Sequence, residues 1–396
     1  MKKLGLIPKI IIGIILGVII GKFAPVGFAR IFATFSSIFA NFLDFVIPLI
    51  IIGFIVAGIA DLGTGAGKLL GITVLLAYIF TIVSGTYALI VGKALLPGII
   101  TSDAMSNIAS AKEDLAPYFT IEMPPLADVI SALIISFILG LGIAKTQNKT
   151  LKDAFIGVQE IISSVIEKVV IPLLPIHICG IFTNMAYTGQ VATVVSVFWK
   201  VFIIIISLHL TMIIFQFAVG CSFSKNNLFK SLKIQSKAYL TAIGTQSSAA
   251  TIPVNVECSE KMGISKGIRE FVIPLCATVH LSGSTMTITT CAMAVSMLFG
   301  MKLSFATMFG FVAMLGVSMV AAPGVPGGAI MAALGLLSSM LGFSEQMTAL
   351  MIALYIAQDS FGTACNVSGD QAVAMVVDFF QRKWSKSEST NRASIN

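Results

Sequence analysis

Long apolar runs alternate with short polar breaks along this chain, and their lengths suit helices that cross a bilayer. Crossing ~30 Å of hydrocarbon takes about 20 apolar residues. Runs of that order fall at 4–24, 32–60, 69–97, 122–145, 153–186 and 190–221. Beyond residue 221 the pattern changes: segments 229–258, 266–299, 304–341 and 345–381 carry Gly, Pro, Ser, Thr and Asn at their middles. Two of these segments split into pairs of apolar arms too short to cross alone, around "GTQSSAATIPVN" (244–255) and "AAPGVPGGA" (321–329). Each pair predicts a helical hairpin that enters and leaves on one side. The stretch "CATVHLSGST" (276–285) predicts an unwound turn inside a span. Such backbone is tolerated in a membrane only against protein or a water-filled cavity.

Composition agrees with lipid as the solvent. The 396 residues are 57% hydrophobic and 11% charged, with a mean hydropathy of +0.97; soluble domains carry about 25% charged residues. The net charge of +7 does not point to nucleic acid, because the basic residues sit between apolar spans. Their distribution instead predicts topology. With a cytoplasmic N-terminus, the inside segments collect Lys2, Lys3, Lys68, Lys145, Lys149, Lys152, Lys225, Lys230, Lys233 and Lys237, followed by Arg382, Lys383, Lys386 and Arg392 in the tail. The outside loops hold little beyond Arg30 and Lys112, so both termini are expected inside. The polar loop 97–117 is then extracellular, and the tail after Trp384 reads as disordered. Met1-Lys-Lys and the first apolar run are not followed by a small-residue cleavage site, so the run is expected to remain as a first helix. The six cysteines show neither disulfide nor metal spacing.

Candidate chemistry concentrates in the second half. An aspartate at the centre of a span costs about 2.5–3.5 kcal/mol on insertion scales, so an unpaired one needs a reason. Asp359 and Asp370 are eleven residues apart in one predicted helix, three turns, which puts them on one face with Thr363 and Asn366 nearby. Small residues such as Gly283 and Gly328 also suit close helix packing. His177 and His209 read as packing residues, whereas His280 reads equally as a hydrogen-bonded core histidine or a functional group. Hydrolysis by the two aspartates is excluded by their separation of ~16 Å along a helix, too far to share a proton. No G-x-S-x-G nucleophile motif appears. A channel has no need of a buried carboxylate for an amine.

In order, "TQSSAATIPVN", "FVIPLCATVHLSGST", "AAPGVPGGAIM" and "DSFGTACNVSGD" resemble the dicarboxylate/amino acid:cation symporters, the glutamate-transporter family. The motifs cover 228–380, and the earlier spans match by layout. The resemblance implies an all-α polytopic membrane protein with eight transmembrane helices and two re-entrant hairpins, working as a homotrimer with an elevator mechanism. It implies scaffold and trimerisation spans with peripheral transport-domain helices over 1–227, a transport core over 228–381 and a cytoplasmic tail over 382–396. It further implies that Ser247 and Ser248 in the first hairpin hold a substrate α-carboxylate, and that Gly324, Val325 and Pro326 form the gate of the second. Asp359 would pair with the substrate amine, beside Thr363 and Asn366. Asp370 and Asn366, with Cys276, Thr278, His280 and Leu281 in the broken span, would hold sodium.

Departures from the family pattern carry the substrate expectation. Acidic-substrate members place an arginine where this chain has Gly362, and some members place one where it has Gln246. No Lys or Arg lies at 343–381 or 238–258. A substrate carboxylate would lack a charge-assisted bond of about 1.5–3 kcal/mol. The expectation is therefore a neutral amino acid, with Gly362 leaving room for its side chain; an acidic amino acid or dicarboxylate is the alternative. The family's "NMDGT" turn is "HLSGS" here, so His280 and Ser282 replace an asparagine and an aspartate. Sodium coupling at reduced stoichiometry is expected, with proton coupling through His280 as the alternative.

Overall fold

The computed structural model describes the backbone of residues 5–61, 67–109, 113–319, 322 and 326–393. Among these residues the regular structure is helical, with no strand. The early apolar runs form α1 (Leu6–Phe23), α2 (Val26–Asp61) and α3 (Gly67–Leu95), then α5 (Val129–Thr146), α6 (Lys149–Val165), α7 (Ile171–Thr188) and α8 (Val191–Ser224). A single π-helical turn, Ile166–Val170, joins α6 to α7 into one long element. The loop predicted at 97–117 contains a short helix, α4 (Ser102–Ala109), which lacks the apolar run that would reveal it. Six helical stretches are long and apolar enough to cross a membrane by length and composition: Val26–Ala60, Leu69–Gly98, Val129–Thr146, Lys149–Thr188, Val191–Ser224 and Lys266–Leu298.

α1 shows how close packing is achieved without a water-driven hydrophobic effect. Its Gly13, Gly17 and Gly21 recur every fourth residue and form one face. A Cβ at any of them would run into the carbonyl oxygen of Pro175, Cys179 or Thr183 on α7. Small residues at this spacing let two backbones touch, and dispersion between them replaces contact with lipid tails.

After α8 the irregular pattern resolves into broken pairs. α9 (Leu228–Thr245) packs on α10 (Ser248–Lys261), and α13 (Phe305–Met319) packs on α14 (Gly328–Leu341). The arms α10, α13 and α14 hold 14, 15 and 14 residues, or about 21–23 Å at 1.5 Å per residue. That is short of the ~30 Å hydrocarbon thickness, as the sequence led one to expect. Between the hairpins, α11 (Lys266–Val279) and α12 (Ser282–Leu298) are interrupted at His280 and Leu281. The last helix, α15 (Glu345–Ala393), packs against α8, α9, α10, α11, α12 and α14.

Two expectations need correction. The chain beyond Trp384 continues α15 as helix to Ala393 instead of a disordered tail. Ser, Glu and Lys there are helix-tolerant, and propagation from an existing helix avoids the cost of nucleation. Arg30 is not in a loop, because α2 begins at Val26. Its guanidinium donates to the carbonyls of Ala116 and Pro117 and lies 4.3 Å over the Tyr118 ring, tying the segment between α4 and α5 to α2. Lys2, Lys3 and Lys112 lie outside the described residues.

Candidate functional site

The polar stripe of α15 is buried against the broken elements. Asp359, Thr363, Asn366 and Asp370 are all 5% exposed or less, so the carboxylates are served by protein groups and not by bulk water. Asp359, Asn366 and Asp370 each meet an interrupted helix end.

At the first hairpin α9 stops because Gln246 adopts φ +54, a left-handed conformation that ends the helix. Ser247 then caps α10, its Oγ accepting the Ala250 N–H at 3.2 Å. Ser248, the first residue of α10, is 7% exposed. The amides that open α10 lack carbonyl partners within the helix, which makes this tip suited to an anion. Gln246 Nε2 donates to Ser360 Oγ at 3.0 Å, so the tip rests beside Asp359.

The second hairpin reaches the same place. Gly327 has φ +78, a conformation that favours glycine, and caps α14. Its N–H donates to Asp359 Oδ2 at 2.7 Å, while the Thr363 hydroxyl lies 3.4 Å from Oδ1. Pro326 occupies the turn just before, half-buried; Gly324 and Val325 lie outside the described residues. The two tips thus converge on residues 359–363 of α15.

Asn366 closes the break between α11 and α12. Its Oδ1 accepts the N–H groups of Gly283 and Ser284 at 2.7 and 3.2 Å, and its Nδ2 donates to Ser284 Oγ at 2.9 Å. Tyr355 donates to the same hydroxyl at 2.9 Å. Because Asn366 takes these amides, carbonyls at the end of α11 are left without helical partners. Oxygen donors of this kind suit a hard cation such as sodium.

One turn further along α15, His280 Nδ1 lies 3.0 Å from Asp370 Oδ1, and its Nε2 lies 3.4 Å from Gln216 Nε2 on α8. A carboxylate accepts and an amide NH2 donates, so this arrangement selects the Nδ1–H tautomer. The Phe80 ring stands edge-on at 6.1 Å. Gly369 is required here, since a Cβ would meet His280 Cε1 and the Gln216 side chain. Cys276 is fully buried in α11, and its carbonyl accepts the His280 N–H at 2.9 Å. Thr278 turns its hydroxyl back to the Leu275 carbonyl at 2.9 Å and is exposed, apart from the Asp370 cluster. The Leu281 carbonyl accepts the Thr285 N–H at 2.9 Å.

Gly362 lies between these clusters. A Cβ built there finds Ser284 N and Thr287 Oγ1 at 3.7 Å and Gly283 C at 3.8 Å, ordinary contact distances that leave room. Sequence reading missed Gln216 and His209, two polar residues seven apart on one buried face of the largely apolar α8. That spacing was the available signal. It also missed Tyr355, Thr287 and Gly327, which look unremarkable in the chain and matter only through what they touch.

Known proteins align over the same extent. The chain is 28% identical to a serine/threonine transporter, SstT, of Acinetobacter baumannii (strain AYE), covering 96% of this chain and 98% of that protein. It is 27% identical to the serine/threonine transporter of Bifidobacterium adolescentis, with 94% and 89% covered, and 24% identical to that of Enterococcus faecalis, with 96% and 93% covered. The model of the sodium:dicarboxylate symporter family matches residues 6–380, from the first helix through the polar stripe of α15, and the chain therefore belongs to that family.

Proposed function

We propose that this symporter takes up a small neutral amino acid, serine and threonine foremost, driven by inward sodium movement. The observation that carries the reading is a buried carboxylate, Asp359, between two helix N-termini, with no Lys or Arg on α10, α12, α14 or residues 345–381 of α15 except at the far end of α10. Asp359 provides for an ammonium group, and the tips at Ser247, Ser248 and Pro326 provide for a carboxylate. Gly362 leaves the side-chain direction uncharged. The names of the aligned serine/threonine transporters support the same substrate class.

Asp370 and the interrupted backbone at Cys276, His280 and Leu281 form the sodium-binding region in this reading, with Asn366 linking it to the substrate. Thr278 joins it only after its hydroxyl leaves the Leu275 carbonyl. The protein works as a homotrimer with both termini in the cytoplasm. Residues 1–227 supply chiefly the scaffold, and 228–381 supply the core that moves as an elevator, with Gly324, Val325 and Pro326 in its gate.

Uptake of radiolabelled serine into liposomes holding the purified protein tests the reading. Accumulation should follow an imposed inward sodium gradient, and threonine should compete while aspartate should not. Serine uptake that ignores sodium but follows a pH gradient would assign the coupling to a proton. Preferential uptake of aspartate or a dicarboxylate would overturn the neutral assignment.

A further inference from the structure

We propose that Thr287, held by His209, forms a subsite for the side-chain hydroxyl of the substrate; the proposal deepens the reading above and rests on it. Hydroxyl residues in the helices here commonly return their O–H to the carbonyl four residues back. Thr73, Thr81, Ser84 and Thr183 do so at 2.7–2.8 Å, to Leu69, Ala77, Phe80 and Cys179. For Thr287 the corresponding carbonyl is that of Gly283, and His209 has taken it: its Nε2 lies 3.1 Å from Gly283 O.

A carbonyl can only accept, so Nε2 carries the proton. The same Nε2 lies 3.0 Å from Thr287 Oγ1, which therefore accepts and keeps its own O–H unspent. Both side chains are buried, at 1% exposure for His209 and 0% for Thr287, so water does not serve that donor. The opposite ring nitrogen, Nδ1, has no hydrogen-bond partner among the described residues either. Among the described residues, the polar contacts of the ring are those to Gly283 and Thr287.

The unspent donor faces Gly362, 3.7 Å from where a Cβ on that residue would stand. Gly362 follows Asp359 by three residues, so both lie on one face of α15, about 5–6 Å apart. In serine and threonine the amino nitrogen and the hydroxyl are separated by two carbons. An amine on Asp359 thus brings a β-hydroxyl toward Thr287, whose O–H donates to it. Alanine, lacking the hydroxyl, leaves the buried donor empty.

The test compares serine and alanine as inhibitors of labelled serine uptake in liposomes carrying the full chain. Wild type should prefer serine. Thr287→Val, which keeps shape and removes the hydroxyl, should reduce the serine-to-alanine preference by about fivefold to tenfold, the worth of one neutral hydrogen bond. Thr287→Ser should retain the wild-type preference. A preference unchanged in Thr287→Val overturns the proposal, as does a loss in Thr287→Ser equal to that in Thr287→Val, which would assign the effect to methyl packing. If the valine variant does not fold, Thr287→Cys, whose thiol is a weak donor, carries the same expectations. Wild-type liposomes that accumulate neither amino acid would overturn the functional reading itself, an outcome distinct from an unchanged ratio.

Discussion

Gly362 is the position where one substitution should exchange one substrate class for another. In the wild-type site an aspartate side chain would lie beside Gly362, where the nearest polar atoms are Ser284 N and Thr287 Oγ1. The Ser284 amide is already bonded to Asn366 Oδ1 at 3.2 Å, which leaves one neutral hydroxyl for a full negative charge. Missing a charge-assisted bond costs about 1.5–3 kcal/mol, so aspartate should compete about 10- to 150-fold more weakly than serine. Gly362→Arg supplies the cation. Its Cβ meets neighbours at 3.7–3.8 Å, so the first side-chain atom enters without moving the backbone. Aspartate should then gain about 10- to 150-fold in half-inhibitory concentration, while serine, facing a desolvated guanidinium, weakens. The assay is inhibition of labelled serine uptake by unlabelled serine and aspartate, with labelled aspartate for the variant. If aspartate inhibits the wild type within about threefold of serine, a difference under 1 kcal/mol, the missing cation does not set specificity. If a folded Gly362→Arg protein gains nothing for aspartate, the space beside Gly362 is not where the substrate side chain lies.

Three further outcomes are expected. Asp359→Asn keeps an acceptor for the Gly327 N–H but loses the charge for the amine; KM for serine should rise about 10- to 150-fold with little change in melting temperature, and an unchanged KM would remove Asp359 from the amine site. Asp370→Asn should raise the sodium concentration for half-maximal uptake by about tenfold, read from a sodium titration at saturating serine; sodium dependence identical to wild type would place the ion elsewhere. Gly17→Leu should push α1 off the Cys179 carbonyl of α7, a cost of about 1–3 kcal/mol for overpacking; an unaltered melting temperature in detergent would show that the α1–α7 contact is dispensable.

The helical character and the breakpoints of the second half were legible because they are local. The pattern placed an interruption in 244–255, and the chain breaks at Gln246 and Ser247; it placed one in 276–285, and the chain breaks at His280 and Leu281. Glycine, serine and proline act on their own backbone, so their effect needs no partner. The stripe from Asp359 to Asp370 was legible for a similar reason, since helical period alone puts them on one face. The extension of α15 past Trp384 was not, because polar composition does not distinguish a free tail from a helix propagated by the span before it.

What the sequence by itself determined is therefore the solvent, the broken helices, the two carboxylates and the absence of a cation near them. Only the tertiary structure decided how those carboxylates are served: Asp359 by the Gly327 amide and Asp370 by His280. Likewise it alone brought His209 and Gln216 from an apolar helix into the site. Asp359 and Gly327 are 32 residues apart and Asp370 and His280 are 90 apart. Periodicity fixes which face of a helix is polar, but the partner that face meets depends on how distant helices pack. Buried polar groups are held to that packing, because in the absence of water each one must find its partner within the protein.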